Sequence, residues 1–245
     1  MASLRLRNPH SVLAVLDVRP QDVYEVLCPE RDLSDGWKEV RQTAERLGIP
    51  VTAPSPPKPS KGQSKERRHA NIEAVVKERD PETLDALITS PDPHGLWIGL
   101  DTVQDPHNVG SIFRSAAFFG VKGLVTTTDR NAPISYTVYD VASGGVEHVP
   151  YAIETNLSRA IDQIKEAGIW ILGTSEHATK SIHEIKRDRP WMIMFGNEED
   201  GLRRLTSDKC DELVSIPRAG HVGSLNVSVA AGITIGHLAS KQPEK

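Results

Sequence analysis

Five short apolar runs, separated by helical stretches, most constrain how this chain folds. The runs are residues 96–100, 123–127, 169–175, 191–196 and 212–216. Continuous apolar runs of this length are typical of strands buried on both faces of a parallel sheet. Between two of the runs, Asn156 is a suitable N-cap for a helix whose apolar stripe ends before Gly168. The sequence therefore predicts an α/β fold on a parallel sheet.

The N-terminal part of the chain predicts a small α/β unit of its own, residues 1–75. A helix is expected where Trp37, Val40, Ala44 and Leu47 repeat at three- and four-residue spacing, with a strand after Gly48. A loop or flexible linker, about residues 54–69, follows and contains four prolines. We predict the boundary near residue 94 and a second domain over residues 95–245.

Composition excludes several classes of protein. Of 245 residues 38% are hydrophobic, which is enough for a core. No apolar run approaches the ~20 residues that span a bilayer, and no signal peptide is recognisable, so we expect a cytoplasmic protein. The two cysteines, Cys28 and Cys210, are far apart, and the nine histidines form no HExxH pattern. We therefore expect neither a disulfide scaffold nor a metal site.

One local feature stands out against the net charge of −4. Residues 58–69 carry five cations against the single Glu66, and these are Lys58, Lys61, Lys65, Arg67 and Arg68. This basic segment is either a solvated linker or a patch that contacts the phosphates of a nucleic acid.

Three polar clusters each follow a predicted strand, at the end where open α/β sheets bind ligands. They lie in residues 100–120, 195–204 and 216–233, whereas the glycine signatures of dinucleotide- and phosphate-binding loops are absent. Each residue alone has a local explanation. Asn108 or Ser224 could cap a helix, Glu198 could complement a helix dipole, and Arg114 could be a surface arginine.

Taken together, the clusters resemble the three motifs of the TrmH-like (SpoU) RNA ribose 2′-O-methyltransferases of the SPOUT class. The matching segments are NVGSIFRSAAFFG, FGNEEDGL and SLNVSVAAGI, within a resemblance that covers residues 95–240. It is strongest to bacterial enzymes that methylate a guanosine ribose of 23S ribosomal RNA. The segment IPRAG departs from the family, which more often has methionine after Ile-Pro, and this puts the RNA preference in doubt more than the chemistry.

The resemblance implies a C-terminal trefoil knot, a homodimer that uses the last helix, and S-adenosylmethionine as cofactor. The cofactor would be held near Gly196, Ile216, Leu225 and Asn226, with Thr174 nearby. Arg114 would act close to the partner subunit's site, either drawing the proton of the 2′-hydroxyl or gripping the adjacent phosphate. Because arginine is ordinarily protonated, we favour the anchoring role.

The remaining motif residues would, by the same resemblance, arrange the site. Asn108 would orient Arg114 or the ribose, Glu198 would fix the second motif, and Ser224 and Asn226 would hydrogen-bond near the target. Three alternatives stay open at this point: a transfer RNA substrate, an inactive RNA-binding factor of ribosome assembly, and a nucleotide-dependent oxidoreductase. The missing glycine fingerprint disfavours the last.

Overall fold

The computed structural model describes residues 3–54, 72–197 and 199–240. Its N-terminal part has the following elements in chain order: β1 (Ser3–Leu6), α1 (Pro9–Val18), β2 (Val23–Leu27), α2 (Asp35–Arg46), β3 (Val51–Thr52) and β4 (Glu73–Lys77). The four strands form one sheet in the order β1-β4-β2-β3. Only β2 and β3 pair in parallel.

Residues 53–72 connect β3 to β4 within this one sheet. These residues include the predicted loop or linker, about residues 54–69, so that segment joins two strands of the N-terminal sheet. The basic residues Lys58, Lys61, Lys65, Arg67 and Arg68 lie outside the described residues.

The second part of the chain forms a larger layered unit. Its elements are α3 (Leu84–Ile88), β5 (Leu96–Leu100), α4 (Pro106–Phe118), β6 (Gly123–Thr127), α5 (Tyr136–Ala142), α6 (Gly145–His148), β7 (Tyr151–Glu154), α7 (Leu157–Glu166), β8 (Trp170–Thr174), β9 (Lys180–Ser181), β10 (Trp191–Phe195), α8 (Arg204–Ser207), β11 (Glu212–Ser215) and α9 (Val227–Ser240). The strands form a seven-stranded sheet, β7-β6-β5-β10-β8-β11-β9, in which every pairing is parallel. The predicted α/β fold on a parallel sheet is confirmed.

Both faces of the large sheet are covered, which explains the continuous apolar runs. Residues of α3 and α7 bury one face, through a cluster that includes Leu84, Ile161 and Met192. Helices α4, α5, α6 and α9 cover the other face, and there the core continues into the N-terminal sheet. Helix α3, which precedes the predicted boundary near residue 94, already packs on the large sheet.

The beginning of the last helix differs from the sequence prediction. Ser224 was one of the caps that the sequence offered, but α9 begins only at Val227. Asn226 is the residue that precedes it, and its side-chain oxygen accepts from the backbone N–H groups of Ser228 (2.9 Å) and Val229 (3.4 Å). An amide that accepts two such bonds satisfies donors that the first helical turn leaves open, so Asn226 and not Ser224 is the cap.

Candidate active site

The three polar clusters meet at one edge of the large sheet. They follow β5, β10 and β11, and in the sheet order β5-β10-β8-β11 these strands are neighbours or are separated by β8 alone. Because parallel strands present their carboxyl ends on the same side, the loops after them lie side by side. The chain moves outward from β5 to β7 and then returns to the other side of β5, so the switch in strand order falls between β5 and β10.

The first cluster is organised by the turn between β5 and α4. Thr102 has a φ of +66°, a left-handed conformation that turns the chain directly after the strand. Asp105 caps α4 by accepting from the N–H of His107 at 2.8 Å. Asn108 is therefore not the cap of α4, so the local explanation that the sequence left open for it is wrong. It lies within the first turn of the helix and is only 7% exposed.

A hydrogen bond joins the first cluster to the third. The side-chain Nδ2 of Asn226 donates to Oδ1 of Asn108 at 3.0 Å, between residues 118 positions apart. Asn226 therefore caps α9 with one end of its amide and holds α4 with the other. Ser224 and Leu225 precede it in the exposed segment 217–226.

Arg114 is not brought to this pair within one chain. It lies six residues after Asn108 on α4, about 9 Å further along the helix axis, and about 120° away around it at 100° per residue. Asn108 is buried towards α9, whereas Arg114 is exposed. One turn further on, Phe118 is 82% exposed.

The second cluster is a closed loop after β10. The N–H groups of Asn197 and Gly201 each donate to the other residue's carbonyl at 3.0 Å. A Cβ on Gly196 would lie 2.2 Å from the carbonyl carbon and oxygen of Gly201, so the loop folds back onto a position that only glycine can occupy. Glu198 lies outside the described residues.

An ion pair between the buried Asp101 and the exposed Arg203, which the sequence did not predict, ties this loop to β5. Asp101 is fully buried, and its carboxylate accepts from the backbone N–H (3.0 Å) and the Nε (2.5 Å) of Arg203. Asn197 adds a bond from its Nδ2 to the carbonyl of Thr102 at 3.2 Å. An acidic residue directly after an apolar strand indicates that it needs a partner, but the partner is 102 positions away, so the sequence does not show which residue it is.

Three of the predicted cofactor residues stand at the ends of adjacent strands. Thr174 ends β8 and donates from its hydroxyl to the carbonyl of Met194 at 2.9 Å. Gly196 follows β10, and the half-buried Ile216 follows β11. Leu225, 46% exposed, adds an apolar side chain just before α9.

The described residues contain no group of histidine, cysteine or carboxylate side chains arranged to hold a metal ion. Within the same ranges, no helix has the length and apolar character needed to cross a bilayer.

The parallel sheet and the loops at its edge place the protein in the class of open α/β proteins. In that class the ligand site lies at the carboxyl ends of the strands, where the strand order switches. The SpoU rRNA Methylase family model matches residues 95–236. The chain belongs to this family.

Named relatives agree over most of the chain. A "23S rRNA (guanosine-2'-O-)-methyltransferase RlmB" of Coxiella burnetii is 37% identical over 92% of this chain and 91% of that protein. A relative of the same name from Nitrosomonas europaea is 44% identical over 69% of this chain and 65% of its own length. Among solved structures, the SpoU methyltransferase AviRb from Streptomyces viridochromogenes, in complex with AdoMet, superposes with a TM-score of 0.77. It is 22% identical and covers 97% of this chain and 89% of its own, which supports the fold.

Proposed function

We propose that this protein methylates a ribose 2′-oxygen of RNA with S-adenosylmethionine, and that its substrate is a guanosine of 23S ribosomal RNA. The observation that carries the proposal is the meeting of all three clusters at one sheet edge, with Asn226 bonded to Asn108 across 118 positions. The names of the relatives that match over nearly their whole length support the ribosomal substrate. Since those relatives are bacterial, we place the reaction in the cytoplasm.

The residues present fit the proposed cofactor. Backbone groups at the ends of β8, β10 and β11 offer donors and acceptors for a nucleoside, and the exposed side chain of Leu225 offers an apolar surface for a base. When bound, the cofactor supplies a methyl group activated on a sulfonium. Thr174, Gly196, Ile216, Leu225 and Asn226 would hold it.

The chain's own residues then position the RNA. We assign the guanidinium of Arg114 to the phosphate beside the target, where its fork of donors also reaches the 2′-hydroxyl. Asn108 and Asn226 fix the relation between α4 and the start of α9, and the hydroxyl of Ser224 both donates and accepts near the ribose. Glu198 would hold the second loop. A 2′-hydroxyl target exists in RNA and not in DNA, so the chemistry selects its substrate.

A trefoil knot belongs to the proposal. After β11, two strands beyond β10, the chain returns across the carboxyl ends of β8 and β10 to place α9 against α4. The loop that Arg203 ties to Asp101 follows β10, one of the two strands whose carboxyl ends this path crosses. This route supports the threading that the family resemblance implies, a rare exception to unknotted connections.

The substrate assignment is tested with purified protein and cofactor carrying a labelled methyl group. We expect label in 23S ribosomal RNA, at a guanosine whose 3′ bond resists alkaline cleavage, and none in the matching DNA. Label found only in transfer RNA would show that transfer RNA, and not 23S ribosomal RNA, is the substrate. Cofactor binding without transfer to any RNA would indicate an assembly factor.

We also propose a homodimer through α4 and α9. Phe118, Val229 and Ile233 are 82%, 49% and 43% exposed on these two adjoining helices, and a second copy would cover them. The arrangement brings Arg114 to the partner's site, which the geometry within one chain does not. Light scattering should give twice the chain mass of 26.9 kDa, and Phe118→Asp should give monomers without transfer. An active monomer contradicts the arrangement.

We propose that the N-terminal unit, residues 1–75, binds RNA and that the basic segment contacts flanking phosphates. Neutralising Lys61, Lys65, Arg67 and Arg68 together should weaken RNA binding and lower the salt dependence, by about 0.7 in log–log slope per lost contact to single-stranded RNA. Binding is measured by filter retention at several salt concentrations. The control neutralises the exposed Lys38 and Arg46 of α2. An unchanged slope rejects the patch.

A further inference from the structure

The two sheets are joined by a very short crossing. β4 ends at Lys77, and Glu82 already pairs with Ala152 of β7, so residues 78–81 alone make the passage. Arg79 lies within it, and its Nη1 donates to the carbonyls of Val146, Glu147 and Val149 around α6. Arg79 therefore fixes the connecting residues 78–81 to α6 of the larger unit.

A buried ion pair closes the same junction from the other side. Arg19, directly after α1, donates from Nε and Nη2 to the two carboxylate oxygens of Glu147 at 2.8 and 2.9 Å. The two side chains are only 8% and 1% exposed. Nη1 of Arg19 also donates to the carbonyl of Lys77 at 2.7 Å. One guanidinium thus holds the end of α1, the end of β4 and α6, in the two-pronged geometry that is strong and directional.

Helix α6 in turn lies against the backbone of Arg114. A Cβ on Gly145 would be 2.7 Å from the carbonyl oxygen of Phe113 and 3.0 Å from the nitrogen of Arg114. On the neighbouring Gly144, a Cβ would be 2.8 Å from Cβ of Ala14 in α1. Residues 144–145 are therefore tightly packed between α1 of the N-terminal unit and the turn of α4 that carries Arg114.

We propose that Arg19 and Glu147 are positioning residues, which fix the N-terminal unit against the helix of Arg114 so that RNA held by one unit reaches the other in one register. The inference rests on the proposed function. It predicts that weakening the pair costs turnover more than RNA affinity, since both units keep the groups that touch RNA. Cofactor affinity stays unchanged, because Glu147 is on α6, which directly precedes β7, and so lies at the amino ends of the parallel strands, opposite the carboxyl ends of β8, β10 and β11.

The test uses Glu147→Gln, which keeps the shape of the side chain and removes its charge, and Arg19→Lys, which keeps the charge and removes the fork. Methyl transfer to 23S ribosomal RNA is measured per cofactor-binding site, so that any unfolded fraction is not counted. We expect kcat at least tenfold lower, with KM for RNA and Kd for the cofactor changed less than threefold. The matched control is Arg41→Ala, which breaks the Arg41–Glu45 pair inside α2 of the same unit. Unchanged kcat per site overturns the proposal, because a merely structural role would lower only the number of sites.

A second measurement separates this proposal from the proposed function. If the wild-type protein transfers no methyl group to any RNA, hydrogen exchange still tests whether the Arg19–Glu147 pair fixes the N-terminal unit against α4. Glu147→Gln should then speed exchange of the amides of residues 113–114 and 143–147, while the Arg41→Ala control leaves them unchanged. Unaltered exchange at residues 113–114 would show that the pair does not bear on α4.

Discussion

Replacing Arg114 with alanine is expected to lower methyl transfer by at least about 100-fold while cofactor affinity stays within a factor of two. The magnitude is that of removing one charged or polar group aimed at the reacting atoms. Cofactor affinity should persist because the exposed Arg114 is assigned to the phosphate and the 2′-hydroxyl of the RNA and is not among the residues that would hold the cofactor. Transfer is measured with labelled cofactor under single-turnover conditions, and affinity by calorimetry.

Two further variants sharpen this expectation. Arg114→Lys keeps the charge and loses the planar fork, so the anchoring role predicts intermediate activity. Arg159→Ala removes another exposed helical arginine, on α7, and should leave turnover unchanged. Full turnover in Arg114→Ala would remove this residue from the site.

Mixing two inactive variants tests whether Arg114 serves the partner's site. Arg114→Ala and Asn226→Ala disable different parts of a site that a dimer would build from two chains. If α4 of one copy faces the α9 edge of the other, mixed dimers contain one intact site and recover part of the activity. Failure of mixed dimers to recover activity would place both residues in one chain's site.

Local elements were predictable because their signals are local. Asn156 accepts from the N–H of Arg159 at 3.1 Å, and α7 buries Leu157, Ala160, Ile161 and Ile164, as their spacing predicted. The apolar runs for β5, β6, β8, β10 and β11 each lie within two residues of the observed strands. Because these strands are buried on both faces of one sheet, their apolar residues are continuous rather than alternating, and the runs are easy to recognise.

Long-range arrangement was less accessible. No local pattern in the sequence predicts that β4 (Glu73–Lys77) lies between β1 and β2 in the first sheet. Strand order depends on packing between segments that are distant in the chain. The sequence could not choose between Ser224 and Asn226 as the cap of α9, because both residue types are good caps. The choice follows from the backbone N–H groups of Ser228 and Val229, which donate to Asn226. Asp101 and Arg203 carry no motif that pairs them.

The second large effect is expected at Gly196. In Gly196→Ala the new methyl group would meet the carbon and oxygen of Gly201 at 2.2 Å and the nitrogen of Leu202 at 2.3 Å. All three atoms belong to the backbone, so no side-chain rotation can relieve the overlap, and the loop closed by Asn197 and Gly201 must shift. If that loop forms one wall of the cofactor site, affinity should fall at least about tenfold, which corresponds to 1.4 kcal/mol.

Calorimetric titration with S-adenosylmethionine measures this loss, and thermal unfolding monitors the fold. The matched control is Gly220→Ala in the third cluster, where an added Cβ meets no atom within 4 Å. Because Gly220 also has no positive φ, its substitution introduces no backbone strain, and affinity should be retained. Equal affinities of the two variants, both folded, would mean that the loop after β10 does not contact the cofactor, and the carboxyl ends of β8 and β11 would have to supply the site without it.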